Sequence, residues 1–289
     1  MSSGYVALIL CIVCSIGVVQ TLRLGQGFRC RSEWALAINY AVCAATSAGW
    51  WALKPGFSCG RSELAYGLPV GVAVVAGLYV ITSGVRIIGA GITQTFERLA
   101  AVLLPTLAAM MFWDGRPDII KLAGLSMALA SFILIGQGET NKRQGGTRWI
   151  NLAMLVAGLI IFSGVTGIGL KAYTENAGVE SNPVFLFIIL VTAMVISLFP
   201  AVLKGRRPTG VDGSIGLLLG ILNMASLATY YAAIARLDGV IVFPSLAAGI
   251  IVGGTLVSAL FWKERYNRWA VAGISAAVMA LMLINWPTR

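Results

Sequence analysis

Glu97 and Arg98 are the residues with the most chemistry to offer. They are the only charges in the stretch 89–113, and a charge at the centre of a membrane helix costs on the order of 3 kcal/mol on insertion scales. A carboxylate at that depth can take up a proton, bind a cation or anchor a guanidinium, and an arginine there can hold an anion. One helical turn separates Thr93 from Glu97 and Gln94 from Arg98, so two polar stripes run down neighbouring faces of one helix. Successive residues point about 100° apart, which predicts that Glu97 finds a partner other than Arg98. Two readings stand. In one, Glu97 is the titrating group of a substrate or coupling site and Arg98 its anion contact. In the other, the charges form a structural ion pair with a neighbouring helix. Tyr79, Ser83, Asn223, Tyr230 and Ser245 also interrupt apolar sequence. They are candidates to line the same cavity, or interhelical hydrogen bonds, since buried amides and phenols need partners.

Three positions weaken the helices near this pair. Pro105 has no amide hydrogen and frees the carbonyl of Ala101. Pro244 does the same in a later apolar run, where Gly253 and Gly254 follow. Such breaks at matching depths predict a gating hinge or a half-helix binding site, or else a static kink.

The missing residue types exclude much. There is no His, which rules out His-ligated zinc, His proton relays and Ser-His-Asp chemistry. Cys11-x-x-Cys14 lies in an apolar run without partner ligands, and Cys30 and Cys59 fall in consecutive connections on opposite sides of a membrane. No metal, cofactor or disulfide framework is implied. A membrane-embedded enzyme would need clustered acids, His or Cys; Glu97 is an isolated deep acid, so catalysis is not expected.

The elements that must position these residues follow from composition. The chain has 289 residues, of which 58% are hydrophobic and 11% charged, whereas soluble domains carry about 25% charge. Residues 1–22, 34–53, 64–85, 122–138, 149–170, 181–203, 213–235, 239–262 and 269–288 contain no Asp, Glu, Lys or Arg. About 20 residues cross the roughly 30 Å of hydrocarbon. With 89–113 they predict ten transmembrane helices, five per half, in an all-α membrane protein. The short connections 86–91 and 236–239 make spans 3–4 and 8–9 antiparallel neighbours. The net charge of +10 lies in short connections, thirteen Lys and Arg after odd spans against seven after even spans and at the C-terminus. That excess favours the odd loops inside and both termini outside and is no signature of nucleic-acid binding; the membrane expected is a bacterial inner (plasma) membrane. Gly67-x3-Gly71, Gly216-x3-Gly220 and Gly249-x3-Gly253 allow close helix packing, either within a monomer or across a homodimer.

The chain also repeats itself. Shifted by 149 positions, Thr106-Leu107 falls on Thr255-Leu256, Phe112-Trp113 on Phe261-Trp262, Arg116 on Arg265, and Ala123-Gly124-x-Ser126 on Ala272-Gly273-x-Ser275. Residues 1–138 and 149–289 are thus expected to be five-helix repeats joined by a polar linker, 139–148. An odd number of spans per repeat inverts the second copy, the plan of many secondary transporters.

Ten spans in a five-plus-five repeat, Phe112-Trp113-Asp114-Gly115-Arg116 and Phe261-Trp262-Lys263-Glu264-Arg265, each followed by a glycine (Gly124, Gly273), resemble the EamA-type members of the drug/metabolite transporter superfamily. The second copy keeps the aromatic-x-x-Glu-Arg-like turn; the first has Gly115 in place of Glu. The resemblance implies a secondary, alternating-access transporter of small organic solutes, often an exporter, with a cavity walled by spans 3, 4, 8 and 9 together with 1 and 6. Its partners would be the solute and the lipid bilayer. An uncoupled facilitator, or a non-transporting structural or sensor subunit, is the alternative.

Overall fold

The computed structural model describes residues 2–53, 59–112, 119–141, 147–177, 183–205 and 207–286. Among them are ten helices: α1 (Ser2–Gly27), α2 (Ser32–Leu53), α3 (Arg61–Ile87), α4 (Ala90–Phe112), α5 (Ile119–Asn141), α6 (Thr147–Ala177), α7 (Pro183–Leu203), α8 (Gly210–Ile234), α9 (Gly239–Phe261) and α10 (Arg268–Ile284). Seven of these, α1, α3 and α5 through α9, are long and apolar enough to cross a bilayer. The chain is an all-helical, multi-pass membrane protein. The other three helices are α2, diluted by Asn39, Tyr40, Thr46 and Ser47, α4 with its charge pair, and α10, 17 residues long. The linker expected at 139–148 is shorter than that: α5 runs on to Asn141 and α6 begins at Thr147, and 142–146 lie outside the described residues.

Two acids fix helix starts in the same way. Glu63 accepts the Gly60 amide at 2.9 Å at the head of α3, and Asp212 accepts the Thr209 amide at 2.8 Å at the head of α8. Each satisfies a donor that a helix terminus leaves open. Each also reaches across the bundle. Tyr173 of α6 donates its hydroxyl to Glu63 at 3.0 Å, and the Arg31 amide beyond α1 donates to Asp212 at 2.7 Å. Glu63 and Asp212 are 149 residues apart, the period of the repeat.

Packing between helices follows the same numbering. At the α5–α10 contact, a Cβ on Gly124 would lie 2.9 Å from the Ile284 amide nitrogen, and one on Gly273 would lie 3.0 Å from that of Ile135. The early part of each helix meets the late part of the other, so they run antiparallel. Ser131 donates its hydroxyl to the Gly273 carbonyl at 2.7 Å. Elsewhere knob and hole are exchanged: Leu104 and Pro105 of α4 fill the hollows at Gly164 and Gly167 of α6, whereas Ile12 and Ile16 of α1 fill those at Gly249 and Gly253 of α9.

The helix breaks expected at Pro105, Pro244 and Gly254 are not breaks. α4 and α9 each run uninterrupted through them. Pro105 is held by the Gly167 hollow, and Gly254 lets the Gln94 side chain lie against its backbone. Close packing compensates the lost helical bonds, as it can where neighbouring helices cover the site.

Candidate functional site

A cavity of about 330 Å³ lies at mid-depth, lined by α2, α3, α4, α6, α7 and α8. This volume is at the small end of ligand pockets, which span ~300–1,000 Å³. Glu97 points into it from α4, about 10 Å along the helix from its start by the rise per residue. Phe162 and Thr166 face it from α6, Tyr40 from α2 and Asn223 from α8. The wall expected from α1 and α9 is supplied instead by α2 and α7. The reason is geometric: α1 packs along α8 and α9, and its mid-helix polar side chains Ser15 and Gln20 turn toward those helices. Ser15 lies 2.7 Å from Ser226, and Gln20 donates to Ser258 at 3.0 Å.

Glu97 pairs with Arg98 after all, with Arg98 Nε 3.1 Å from Glu97 Oε2. The expectation of another partner rested on the divergence of adjacent Cβ directions. An arginine stem is long enough to fold back and overcome it. The contact is an ion pair without hydrogen-bond alignment at Nε. Arg98 itself does not line the cavity.

The other expected site residues divide. Asn223 lines the cavity and donates its amide to Asn39 of α2 at 2.7 Å. Gln94 is fully buried; it donates to the Ser15 carbonyl at 3.3 Å, and its Oε1 has no hydrogen-bond partner among the described residues. It belongs to the α1–α4–α9 crossing. Thr93 is buried and donates back to the Gly89 carbonyl at 2.6 Å, while its methyl fills the space at Gly84 of α3. Tyr79 packs with the apolar cluster of α1, α2, α3, α7 and α8, and its hydroxyl has no hydrogen-bond partner among the described residues. Ser83 donates to the Tyr79 carbonyl at 3.0 Å. Tyr230 stacks at a tilt with Tyr231 and Phe243, at 5.9 and 6.5 Å, and Ser245 is exposed. Of the nine expected contacts, only Glu97 and Asn223 reach the cavity.

The two ends of the bundle are not alike. At the end carrying the α1–α2, α3–α4 and α9–α10 connections, α1 is tied to α3. There Gln26 donates to the Thr82 carbonyl at 2.9 Å and Arg23 to that of Val85 at 3.3 Å. Trp262 closes this end further, donating its indole N–H to Gln20 at 2.6 Å. By the repeat, α6 and α8 correspond to α1 and α3. Among the described residues α6 and α8 have no extended packing, and the cavity separates them.

The same closed end holds a clamp that the motif reading left without a role. Lys263 takes a left-handed conformation (φ 54°) after α9 and turns Glu264 back toward α4. The Glu264 carboxylate accepts the Ala90 and Gly91 amides at 2.8 and 3.3 Å, and the Tyr266 hydroxyl at 2.9 Å. It thereby caps the start of α4, where a helix concentrates partial positive charge. Gly89, at φ +93°, leaves room for it: a Cβ there would lie 2.7 Å from the carboxylate carbon. Its counterpart in the first copy, the turn 113–118 with Gly115, lies outside the described residues. In the α1–α2 connection, burial and the neighbouring Asp212 carboxylate push the Cys30 thiol up to about 12.

Sequence reasoning missed Glu63, Asp212 and Tyr173. For Asp212 a signal existed: Thr209-x-x-Asp212 has the spacing of a capping box.

No family model matches the chain. An uncharacterized protein of Haemophilus influenzae is 25% identical over 289 residues, covering 96% of this chain and 97% of its own length. A solved crystal structure matches with a TM-score of 0.66 at 16% identity, over 97% of this chain and 98% of that one. The whole ten-helix arrangement, and not one half of it, is therefore similar to a known fold.

Proposed function

We propose that the chain is a secondary transporter that moves a small organic solute across the bacterial inner membrane by alternating access, and that it performs no covalent catalysis. Residues 1–138 and 149–289 are inverted repeats on this reading, and the resemblance to EamA-type transporters is a family relation. Three observations support it. The contacts of Gly124 with Ile284 and of Gly273 with Ile135 are those that a two-fold axis perpendicular to α5 and α10 would exchange. One end of the bundle is tied by α1–α3 and by Glu264, while the corresponding α6 and α8 stand apart. The observation that carries the reading is the third: a lone carboxylate, Glu97, in a mid-depth cavity between the helices that are packed and those that are not.

The residues then have distinct roles. Glu97 holds the solute inside the bundle, and Arg98 is its counter-ion when the cavity is empty. The solute leaves or enters between α6 and α8. In the alternate state, α1 and α3 part and Glu264 releases α4. A facilitator without ion coupling is favoured by one feature: Glu97 already has a counter-charge in Arg98.

Counterflow in proteoliposomes tests the reading. Preloaded vesicles should exchange labelled solute, and Glu97→Gln should abolish exchange without loss of folded protein. If uptake follows an imposed pH gradient in the wild type, coupling is established; counterflow without that dependence identifies the facilitator. No exchange of any amine, zwitterion or organic anion would end the transport proposal.

A further inference from the structure

The cavity holds one carboxylate and more free acceptors than donors, and that restricts what can bind. The Tyr40 hydroxyl donates to the Val74 carbonyl at 3.2 Å, and the Cys43 thiol to that of Gly220 at 3.8 Å. The Thr166 hydroxyl donates to the Phe162 carbonyl at 2.8 Å, and Asn223 spends an amide hydrogen on Asn39 at 2.7 Å. What these side chains leave over is mostly acceptor capacity: the Asn223 amide oxygen, the lone pairs of Thr166 and Ser163, and the Glu97 carboxylate, one oxygen of which faces Arg98; the donors left are the second Asn223 amide hydrogen and the Ser163 hydroxyl. No Lys or Arg is among the lining residues. An organic anion placed here would find a carboxylate and no counter-cation. A neutral acceptor would find the Ser163 hydroxyl and one Asn223 amide hydrogen, and no charge to answer the Glu97 carboxylate.

We infer that the cavity selects a protonated amine with an apolar body. This rests on the transport reading of the same site. A primary ammonium has three donors and no acceptor, which matches what is on offer. It takes the place of the Arg98 guanidinium at Glu97 and reaches Asn223 and Thr166 with its other hydrogens, and its apolar part packs on Phe162, Leu190 and Leu227. Arg98 is the competitor that an incoming cation must displace, so a charge without directed donors does worse.

Four probes with one body and different heads decide this: phenethylamine, its trimethylammonium analogue, phenethyl alcohol and phenylacetate. Their saturable thermal stabilisation of the purified protein is measured in detergent. The amine should bind tightest, about tenfold to a hundredfold over the alcohol, the advantage of charge-assisted hydrogen bonds. The trimethylammonium analogue should fall between them and phenylacetate should give no shift. Glu97→Gln should reduce the amine to the level of the alcohol, and Asn223→Ala should weaken it in part. Equal shifts for amine and carboxylate, an amine effect that survives Glu97→Gln, or no stabilisation by the amine would each overturn the inference. The wild-type series decides even where Glu97→Gln fails to fold. Counterflow of organic anions with no binding of amines would sink this inference and leave transport standing. Saturable amine binding without exchange of any solute would do the reverse.

Discussion

Glu264→Ala should destabilise the protein far more than its position in a surface turn suggests. The side chain accepts two amides at the start of α4 and the hydroxyl of Tyr266. Losing a helix-capping acceptor costs about 0.5–2 kcal/mol, and losing an anion at a helix start costs about 0.3–1 kcal/mol more. The sum is about 1–3 kcal/mol, because water at the bundle end recovers part of what is lost. Glu264→Gln keeps one acceptor oxygen and directs an amide at the other backbone N–H, so roughly half that loss is expected. At roughly 2–4 °C per kcal/mol for chains of about this size, Glu264→Ala should lower the midpoint of thermal unfolding by several degrees. Gly89→Ala acts on the same contact from the other side. Its φ of +93° is strained for any side chain, and its methyl would collide with the carboxylate. The two changes share one interaction, so the double variant should be less destabilised than the two losses added together. Lys263→Ala, an exposed neighbour, is the control; surface substitutions usually stay within about 0.5 kcal/mol. The reasoning fails if Glu264→Ala matches Lys263→Ala, or if the Glu264 and Gly89 losses are additive.

Gly124→Ala and Gly273→Ala should cost the same, about 1–3 kcal/mol each as overpacking. Each Cβ meets a backbone nitrogen that cannot move aside. Gly49→Ala, in open space on α2, should instead stabilise by up to about 1 kcal/mol. Thermal unfolding of the three proteins checks the pattern, and a neutral effect at either Gly124 or Gly273 contradicts it. Cys30, held up to about 12 from the ordinary 9.0, should react with a maleimide at pH 8 at a small fraction of the rate of the exposed Cys59, because the thiolate is the reactive form. The same shift has no effect on stability below pH 9. It disfavours the folded state as pH rises from about 9 to about 12, where the unfolded thiol ionises and the buried one does not. Equal labelling of the two cysteines would show that Cys30 is not half-buried beside Asp212.

Helix positions were legible because charge-free runs leave a membrane chain one choice of backbone. The tight α3–α4 and α8–α9 turns were legible from the shortness of residues 86–91 and 236–239. Glu97 stood out because a deep acid is expensive. Which helices surround it did not, because hydropathy carries no record of shape. The α4–α6 contact depends on Leu104 and Pro105 meeting Gly164 and Gly167, the α1–α9 contact on Ile12 and Ile16 meeting Gly249 and Gly253. Such pairs appear in the sequence only as scattered glycines. Pro105 misled for the same reason, since a missing helical bond matters little once the hollow at Gly167 holds the ring. The Glu97–Arg98 pair was misjudged because ideal Cβ directions ignore the reach of a flexible stem.

The position of that pair has a consequence for how two inverted halves could share one site. Gln94 of α4 lies against Gly254 of α9. Under the proposed two-fold relation the mate of that contact joins Pro105 to Phe243. The axis then crosses α4 midway between Gln94 and Pro105, within a turn of Glu97 and Arg98. The repeat places Leu246 and Ala247 opposite them, so the second half brings no charges of its own. One carboxylate close to the axis keeps nearly the same distance from both ends of the bundle when the halves exchange roles. A second carboxylate at position 246 would add like-charge repulsion at short range in a low dielectric. On the proposed transport reading, this asymmetry leaves one carboxylate for one bound cation in both states of the exchange.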